Sequence, residues 1–374
     1  METEAMLEQP VRWLNSLSPA VSLLPLSSNE PMQGVIVDRF ARPLRDLRIS
    51  VTDRCNFRCT YCMPKEIFDK DYPYLNSSSM LSFEEIERVA RIAIKLGVTQ
   101  LRLTGGEPLL RKNLEQLVAS LSQLNTENGE RIRLAMTTNG SLLEKKASIL
   151  RQVGLDRITV SLDAIDEQVF RRMNDVDFSV NAVLRGIDAA LAAGLAPVKV
   201  NVVVKRGYND DQILPLIEHF RGSGVILRFI EFMDVGSTNG WKSDYVFPSD
   251  EIVSRVQERY TLEALPHDRF GETAQRYKLA DGSLELGLIS SITAPFCGTC
   301  NRARLSTDGK LYTCLFGSHG ADLRSILRDS RSSDETLQQR LASIWRGRED
   351  RYSERRATLD ASRAAKVEMS YIGG

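Results

Sequence analysis

Six short β-rich runs alternate with helical segments between residues 46 and 233, and no other feature of the sequence narrows the fold as much. The runs are DLRISVT (46–52), QLRLT (100–104), RIRLAMTT (131–138), DRITVSLD (156–163), VKVNVVV (198–204) and VILRFIEFM (225–233). The clearest helix begins at Ser82, which forms a capping-box pattern with Glu85. Its apolar residues Phe83, Ile86, Val89, Ala90, Ala93 and Ile94 follow helical spacing, and Gly97 stops it. Strands joined through helices make right-handed crossovers and a parallel sheet. Six such units predict an α/β fold, an incomplete (β/α)6 TIM-type barrel with its chemistry at the C-terminal strand ends.

Side chains alternate across a strand. In the first run Arg48, Ser50 and Thr52 therefore share one face, and Leu47, Ile49 and Val51 the other. The same alternation groups Arg102 with Thr104, Thr159 with Ser161 and Asp163, and Lys199 with Asn201. A strand of a filled barrel is apolar on both faces. Here the apolar set can face the helices, which turns the polar set inward and predicts a polar cavity instead of a packed plug.

Residues 1–40 show no periodicity and carry Pro10, Pro19, Pro25 and Pro31, so they read as an N-terminal extension. The barrel is assigned to residues 41–254 and a smaller C-terminal domain to residues 255–374. In that domain Asp308-Gly309 is a strong hairpin turn that folds the stretch 302–314 back on itself. Residues 321–347 read as helical, and 348–365, rich in Arg, Ser and Asp, as a solvated linker.

All six cysteines fall into two groups of three, Cys55, Cys59, Cys62 and Cys297, Cys300, Cys314, with none in the 234 residues from 63 to 296. The hairpin would bring Cys314 back towards the other two of its group. The acidic N-terminus, METEAMLEQP, lacks the basic start and apolar stretch of a signal peptide, which predicts a cytoplasmic chain. In a reducing compartment cysteines are ligands or catalysts more often than disulfides. No apolar run approaches the ~18 residues needed to span a bilayer. Lys+Arg and Asp+Glu both number 49, so no global field draws the chain to nucleic acid or an anionic membrane.

Disulfides need pairs, and closed metal sites usually need four ligands. Three thiolates can instead hold three irons of a cubane and leave the fourth open to a small molecule. For the second triad zinc is the alternative, with His319 as the fourth ligand; His219 and His267 are the remaining histidines. Beside that triad, Arg302 and Arg304 alternate onto one strand face, an arrangement suited to phosphates.

The C-x3-C-x2-C spacing after the first strand, with the glycine-rich TGGEPLL (104–110) after the second, resembles the radical S-adenosylmethionine superfamily. The second triad followed by NRAR, GKLYTCLFG (309–317) and the terminal MSYIGG (369–374) resemble the GTP 3′,8-cyclase family within it, over roughly residues 40–374. The resemblance implies a GTP-binding lyase of molybdenum cofactor biosynthesis. Its cofactors would be two 4Fe-4S clusters, each on three cysteines, and S-adenosyl-L-methionine. A 5′-deoxyadenosyl radical would remove H3′ of GTP, and C3′ would attack C8 to give (8S)-3′,8-cyclo-7,8-dihydroguanosine 5′-triphosphate. The guanine base would sit on the open iron of the second cluster.

By the same resemblance Cys55, Cys59 and Cys62 hold the first cluster, and Cys297, Cys300 and Cys314 the second. Tyr61, Gly106, Ser161 and Met233 would contact S-adenosylmethionine. Arg48, Arg102, Thr137, Lys199, Arg302 and Arg304 would contact GTP, and Gly373 and Gly374 would enter the active site and assist catalysis. Strand parity independently turns Arg48, Arg102, Ser161 and Lys199 inward. Cations gathered in a low-dielectric cavity repel one another unless a polyanion arrives, which suits a triphosphate. Implied partners are an electron donor of flavodoxin or ferredoxin type and a hand-off to the cyclic pyranopterin monophosphate synthase, with no nucleic acid and no membrane. A homodimer is compatible with this reading. Two rivals stay open: a peptide-modifying radical enzyme with an auxiliary cluster, and a zinc-stabilised protein that binds GTP without consuming it.

Overall fold

Each of the six β-rich runs forms a strand: β1 Asp46–Ser50, β2 Gln100–Thr104, β3 Arg133–Thr138, β4 Arg157–Ser161, β5 Lys199–Val204 and β6 Ile226–Glu231. They pair in chain order, all parallel. The computed structural model describes residues 34–356 and 366–373. Beyond β6 lie β7 Leu262–Leu265, β8 Gln275–Leu279, β9 Glu285–Ile289, β10 Arg302–Leu305, β11 Lys310–Tyr312 and β12 Ala321–Asp322. The sheet runs β12-β11-β10-β1-β2-β3-β4-β5-β6-β9-β8-β7. The C-terminal segment thus adds one parallel strand to each side of the barrel, β10 beside β1 and β9 beside β6. The antiparallel pairs β11-β12 and β7-β8 finish the two edges. The result is the incomplete α/β barrel expected from the sequence.

The apolar strand face packs under the helices. Leu47, Ile49, Leu101, Leu103, Leu134, Val160, Val200 and Leu227 are all fully buried. The helix Phe83–Lys95 buries Ile86, Val89, Ala90, Ala93 and Ile94, and both capping-box bonds form: the Glu85 amide to Ser82 Oγ at 3.2 Å and the Ser82 amide to Glu85 Oε2 at 2.7 Å. Such a cap contributes about 1 kcal/mol. At the hairpin Gly309 takes φ +87°, the left-handed conformation that glycine tolerates best, and β10 pairs with β11. Cys314 follows directly, as the turn chemistry required.

Two expectations for the C-terminal segment are corrected. Residues 321–347 are not wholly helical: Ala321–Asp322 pairs with β11 before the helices Arg324–Arg328 and Asp334–Arg346. Nor is the described part of 348–365 a solvated linker. Arg348 is buried, Tyr352–Arg355 is helical, and Arg356 Nε donates to Asp234 Oδ1 at 2.9 Å. The charges that suggested solvent are satisfied by one another and by the barrel. Residues 357–365 and 1–33 lie outside the described residues.

Candidate active site between two cysteine triads

The inward polar faces surround a cavity of about 300 Å³, and all six cysteines line it. Cys55, Cys59 and Cys62 stand on the loop after β1. A turn fixes that loop, with the Cys62 and Met63 amides donating to the Cys59 carbonyl at 2.9 Å each. The loop after β2 is tied to it: the Gly106 amide donates to the Thr52 carbonyl and the Glu107 amide to the Arg54 carbonyl, both at 2.8 Å. Glu107 in turn grips the end of β3, accepting from Thr138 Oγ1 at 2.7 Å and the Asn139 amide at 2.6 Å. Burial still pushes its carboxyl up to about 7. Glu107 and Asn139 were not singled out in the sequence, yet they hold the first triad's loop against the sheet.

The two triads differ electrostatically. Burial, aided by Glu107, pushes the Cys55 thiol up to about 11, and burial raises Cys59 and Cys62 well above the ordinary range. Those sulfurs become thiolates only when a cation compensates them. Burial also acts to raise Cys300, but Arg302, Arg348 and Arg304 outweigh it and bring the thiol down to about 6. Burial, helped by Asp350, lifts Cys314 to about 11. Cys297 opens a short 3₁₀ turn, Cys297–Thr299, that Cys300 ends.

Between the triads runs a row of cations. Arg304 of β10, Arg48 of β1 and Arg102 of β2 stand in direct register across three neighbouring strands. Arg102 Nη1 reaches Thr137 Oγ1 at 3.2 Å and Thr159 Oγ1 at 3.3 Å. Arg302 and Arg228 also line the cavity, and Arg228 was missed in the sequence. Burial, and then neighbouring guanidiniums, lower Arg102 and Arg304 to about 9 and Arg228 to about 10. Arg48 Nε, Arg102 Nε and Thr104 Oγ1 are buried without a hydrogen-bond partner. Unpaired buried donors beside mutually repelling cations call for an anionic ligand.

The remaining residues named from the sequence are placed as follows. Tyr61, Gly106, Thr137, Ser161 and Met233 line the cavity. The Tyr61 hydroxyl donates to Asp163 Oδ2 at 2.6 Å, which occupies the polar end of the ring. Met233 Sδ lies 3.4 Å from Ser291 Oγ. Just before Met233, Glu231 is buried and accepts from the amides of Ser249, Ile292 and Thr293 at 2.9–3.0 Å. That carboxylate locks the end of β6 to the segment after β9.

Lys199 points inward as parity required, but it is the first residue of β5 and lies outside the cavity lining. Burial together with Arg228, Arg157 and Arg269 lowers it to about 7. The tail enters the barrel: Arg304 Nε donates to the Gly373 carbonyl at 3.3 Å. Gly374 lies outside the described residues.

The donor set fits iron–sulfur clusters. All six cysteines are free, and each triad presents three soft sulfurs to one void. Among the described residues no three His, Cys, Asp or Glu side chains are arranged to clasp a single ion. His319, the zinc alternative's fourth ligand, is exposed with Nδ1 2.8 Å from Ser318 Oγ, and it is not among the residues lining the cavity. Among the described residues no helix is long and apolar enough to cross a membrane.

Comparison with known proteins agrees with this geometry. The radical SAM superfamily model matches residues 49–220, and the Molybdenum Cofactor Synthesis C model matches residues 225–354. Among solved structures, SuiB of Streptococcus suis bound to S-adenosylmethionine superposes with a TM-score of 0.56 at 14% identity, covering 81% of this chain and 66% of SuiB. SuiB bound to its precursor peptide SuiA gives 0.57 at 13% identity, over 87% and 69%. These likenesses concern the fold alone. Sequence relatives are much nearer. The GTP 3′,8-cyclase of Staphylococcus haemolyticus (strain JCSC1435) is 47% identical over 92% of this chain and 100% of its own. That of Xanthomonas axonopodis pv. citri (strain 306) is 50% identical over 92% and 99%. With both cysteine triads and the intervening arginines assembled in one barrel, and identity of this extent, the chain belongs to the GTP 3′,8-cyclase family of radical S-adenosylmethionine enzymes.

Proposed function

We propose that this chain cyclises GTP to (8S)-3′,8-cyclo-7,8-dihydroguanosine 5′-triphosphate in an S-adenosylmethionine-dependent radical reaction, the first step of molybdenum cofactor biosynthesis. The observation that carries this reading is the row Arg304, Arg48, Arg102 between two cysteine triads in one cavity. Superfamily membership brings one 4Fe-4S cluster and S-adenosylmethionine; a second cluster on Cys297, Cys300 and Cys314 is part of the proposal. When bound, these groups supply a 5′-deoxyadenosyl radical able to take H3′ from the ribose.

The chain's own residues bind, orient and enclose. Arg48, Arg102, Arg302 and Arg304, with Arg228, receive the triphosphate, and Thr137 positions Arg102. A polyanion there relieves the mutual repulsion of the guanidiniums, so binding energy is concentrated on the nucleotide. Lys199 adds charge from the N-terminal end of β5. Tyr61, with its hydroxyl held by Asp163, offers its ring to an adenine, while the bare Gly106 backbone lets a methionyl group approach. Ser161 and Met233 complete that side. Gly373 sets its carbonyl against Arg304 with no side chain in the way, and the Gly-Gly tail would assist catalysis by excluding water. A flavodoxin- or ferredoxin-type protein would supply electrons, and the cyclic pyranopterin monophosphate synthase would take the product.

The test is an anaerobic assay with dithionite, S-adenosylmethionine and each nucleoside triphosphate in turn, with products identified by mass and NMR. Formation of the 3′,8-cyclised nucleotide from GTP alone is expected. Intact GTP with both clusters loaded would sink the proposal.

A further inference from the structure

A largely buried ionic cluster lies beside the second triad, and its Arg348 and Asp350 also line the cavity. Arg348 and Asp38 side chains are 2% and 0% exposed. Arg348 Nη1 donates to the Cys300 carbonyl at 2.7 Å and to Asp38 Oδ2 at 3.2 Å, and its Nη2 lies 3.1 Å from Cys300 Sγ. The Trp345 ring lies 4.6 Å from the guanidinium. Asp38 also accepts from Arg42 Nε at 2.6 Å, and Arg42 Nη1 donates to the carbonyls of Cys297 at 2.7 Å and Asp350 at 2.9 Å. Two buried arginines thus grip the backbone of two triad cysteines, and one of them also grips a sulfur.

Buried guanidiniums are costly unless every donor meets an acceptor. Asp38 is shared between Arg42 and Arg348, and Asp350 Oδ2 stands 3.4 Å from Arg348 Nε as an ion pair without a hydrogen bond. The acceptor left for Nη2 is the Cys300 sulfur, which accepts strongly only as a thiolate or metal ligand. The fork therefore embraces Cys300 at two atoms, its carbonyl and its sulfur, and fixes the rotation about its Cα–Cβ bond. A hydrogen bond from a cation to a ligating sulfur withdraws electron density and favours the reduced, more negative state of a cluster.

We infer that Arg348 is a positioning residue for the second cluster: it orients the Cys300 sulfur and makes that cluster easier to reduce. This rests on the second triad holding a 4Fe-4S cluster, and the experiment separates the two ideas. In the full chain carrying Cys55→Ala, Cys59→Ala and Cys62→Ala, only the second triad can be loaded. Anaerobic reconstitution with iron and sulfide, followed by iron analysis and an EPR-monitored titration with dithionite, gives occupancy and midpoint.

About four irons per chain are expected in that background. Arg348→Lys, which keeps the charge but not the fork, should retain the iron and shift the oxidised/reduced balance about tenfold towards oxidised, ~59 mV for one electron. Arg348→Gln should shift it further or lose iron. Absence of iron in the background protein overturns the cluster reading and this proposal with it. Iron present with a midpoint unmoved in Arg348→Lys overturns the proposal alone.

Discussion

Gly106 is packed so closely that the cost of a side chain there follows from the distances around it. Its φ is not in the left-handed region, so substitution there tests close approach without backbone strain. A Cβ on Gly106 would lie 2.3 Å from the Arg54 carbonyl oxygen, 2.6 Å from that carbonyl carbon and 3.0 Å from the Cys55 amide nitrogen. Real Cβ contacts do not fall below 3.0 Å, so backbone must yield by at least the 0.7 Å between 3.0 and 2.3 Å. The yielding segment carries Cys55. Movement of that size weakens the two bonds joining the loops, Gly106 amide to Thr52 and Glu107 amide to Arg54, each contributing roughly 1 kcal/mol. Overpacking adds about 1–3 kcal/mol, so Gly106→Ala should destabilise the fold by roughly 3–5 kcal/mol. The comparison is Gly298→Ala, also next to a triad cysteine, where the nearest atom to the new Cβ is Glu354 Oε1 at 3.9 Å. That change should stay within ~0.5 kcal/mol. Calorimetric unfolding of the apo chains and iron analysis after reconstitution are the assays. Gly106→Ala should lose iron from the Cys55, Cys59, Cys62 site while Gly298→Ala keeps the iron content of the unsubstituted chain. Equal stability and iron content in the two variants would refute the close-approach argument.

Replacing Arg302 and Arg304 together by alanine removes two charge-assisted contacts of ~1.5–3 kcal/mol each. The dissociation constant for GTP should rise about 10²-fold or more by calorimetry with S-adenosylmethionine affinity unchanged, and an unmoved GTP constant would exclude the phosphate role. Lys199 is lowered to about 7, first by burial, so at pH 8 it is mostly neutral before binding. An arriving triphosphate, already ionised at that pH, raises its pKa, and calorimetry in buffers of different ionisation enthalpy should record net proton uptake; proton release or none contradicts this. The same shift has a stability sign: the folded pKa lies below the unfolded 10.5, so burying Lys199 costs stability, fully below about 7 and progressively less as pH rises towards 10.5. Gly373→Ala places a Cβ 1.9 Å from Thr104 Oγ1 at φ +76°, which should expel the tail and lower turnover by about 10²-fold. Adding Thr104→Ala should restore part of that loss in the same turnover assay, and no recovery would mean that the clash is not the cause.

What the sequence disclosed, and what it hid, follows from the range of the physics involved. Arg48 and Arg102 were legible because strand parity is local and each alternates with a buried apolar set, Leu47 and Ile49 or Leu101 and Leu103. Parity assigns a face but not a height. It correctly turned Lys199 inward without revealing that it opens β5, below the cavity. Arg228 obeys the same parity, but its inward neighbours are Ile226 and Ile230, so the polar signal was diluted within an apolar run. The capping box at Ser82 and the Asp308-Gly309 hairpin depend on a few adjacent residues and appeared where the sequence located them.

Arg348 is the opposite case. Its carboxylate partner, Asp38, lies 310 positions away in the stretch that reads from sequence as an aperiodic N-terminal extension. Each half alone looks like solvated charge, and only the fold makes one the reason for the other's burial. The same reasoning explains why a chain with equal numbers of basic and acidic residues can hold a strongly cationic site. Of the six arginines that line it, Arg48, Arg102, Arg228, Arg302 and Arg304 come from β1, β2, β6 and β10, whose order in space is not their order in sequence, and Arg348 follows the helix Asp334–Arg346. Acidic residues around the cavity are largely engaged: Asp163 with Tyr61, Glu231 with three amides, and Asp46, which acts on Arg48 and Arg102, with Gln100. Net charge therefore says nothing about this cavity. What would favour a polyanion there is that Asp163 and Glu231 are committed to holding the walls while Arg48 and Arg102 keep buried Nε donors unpaired.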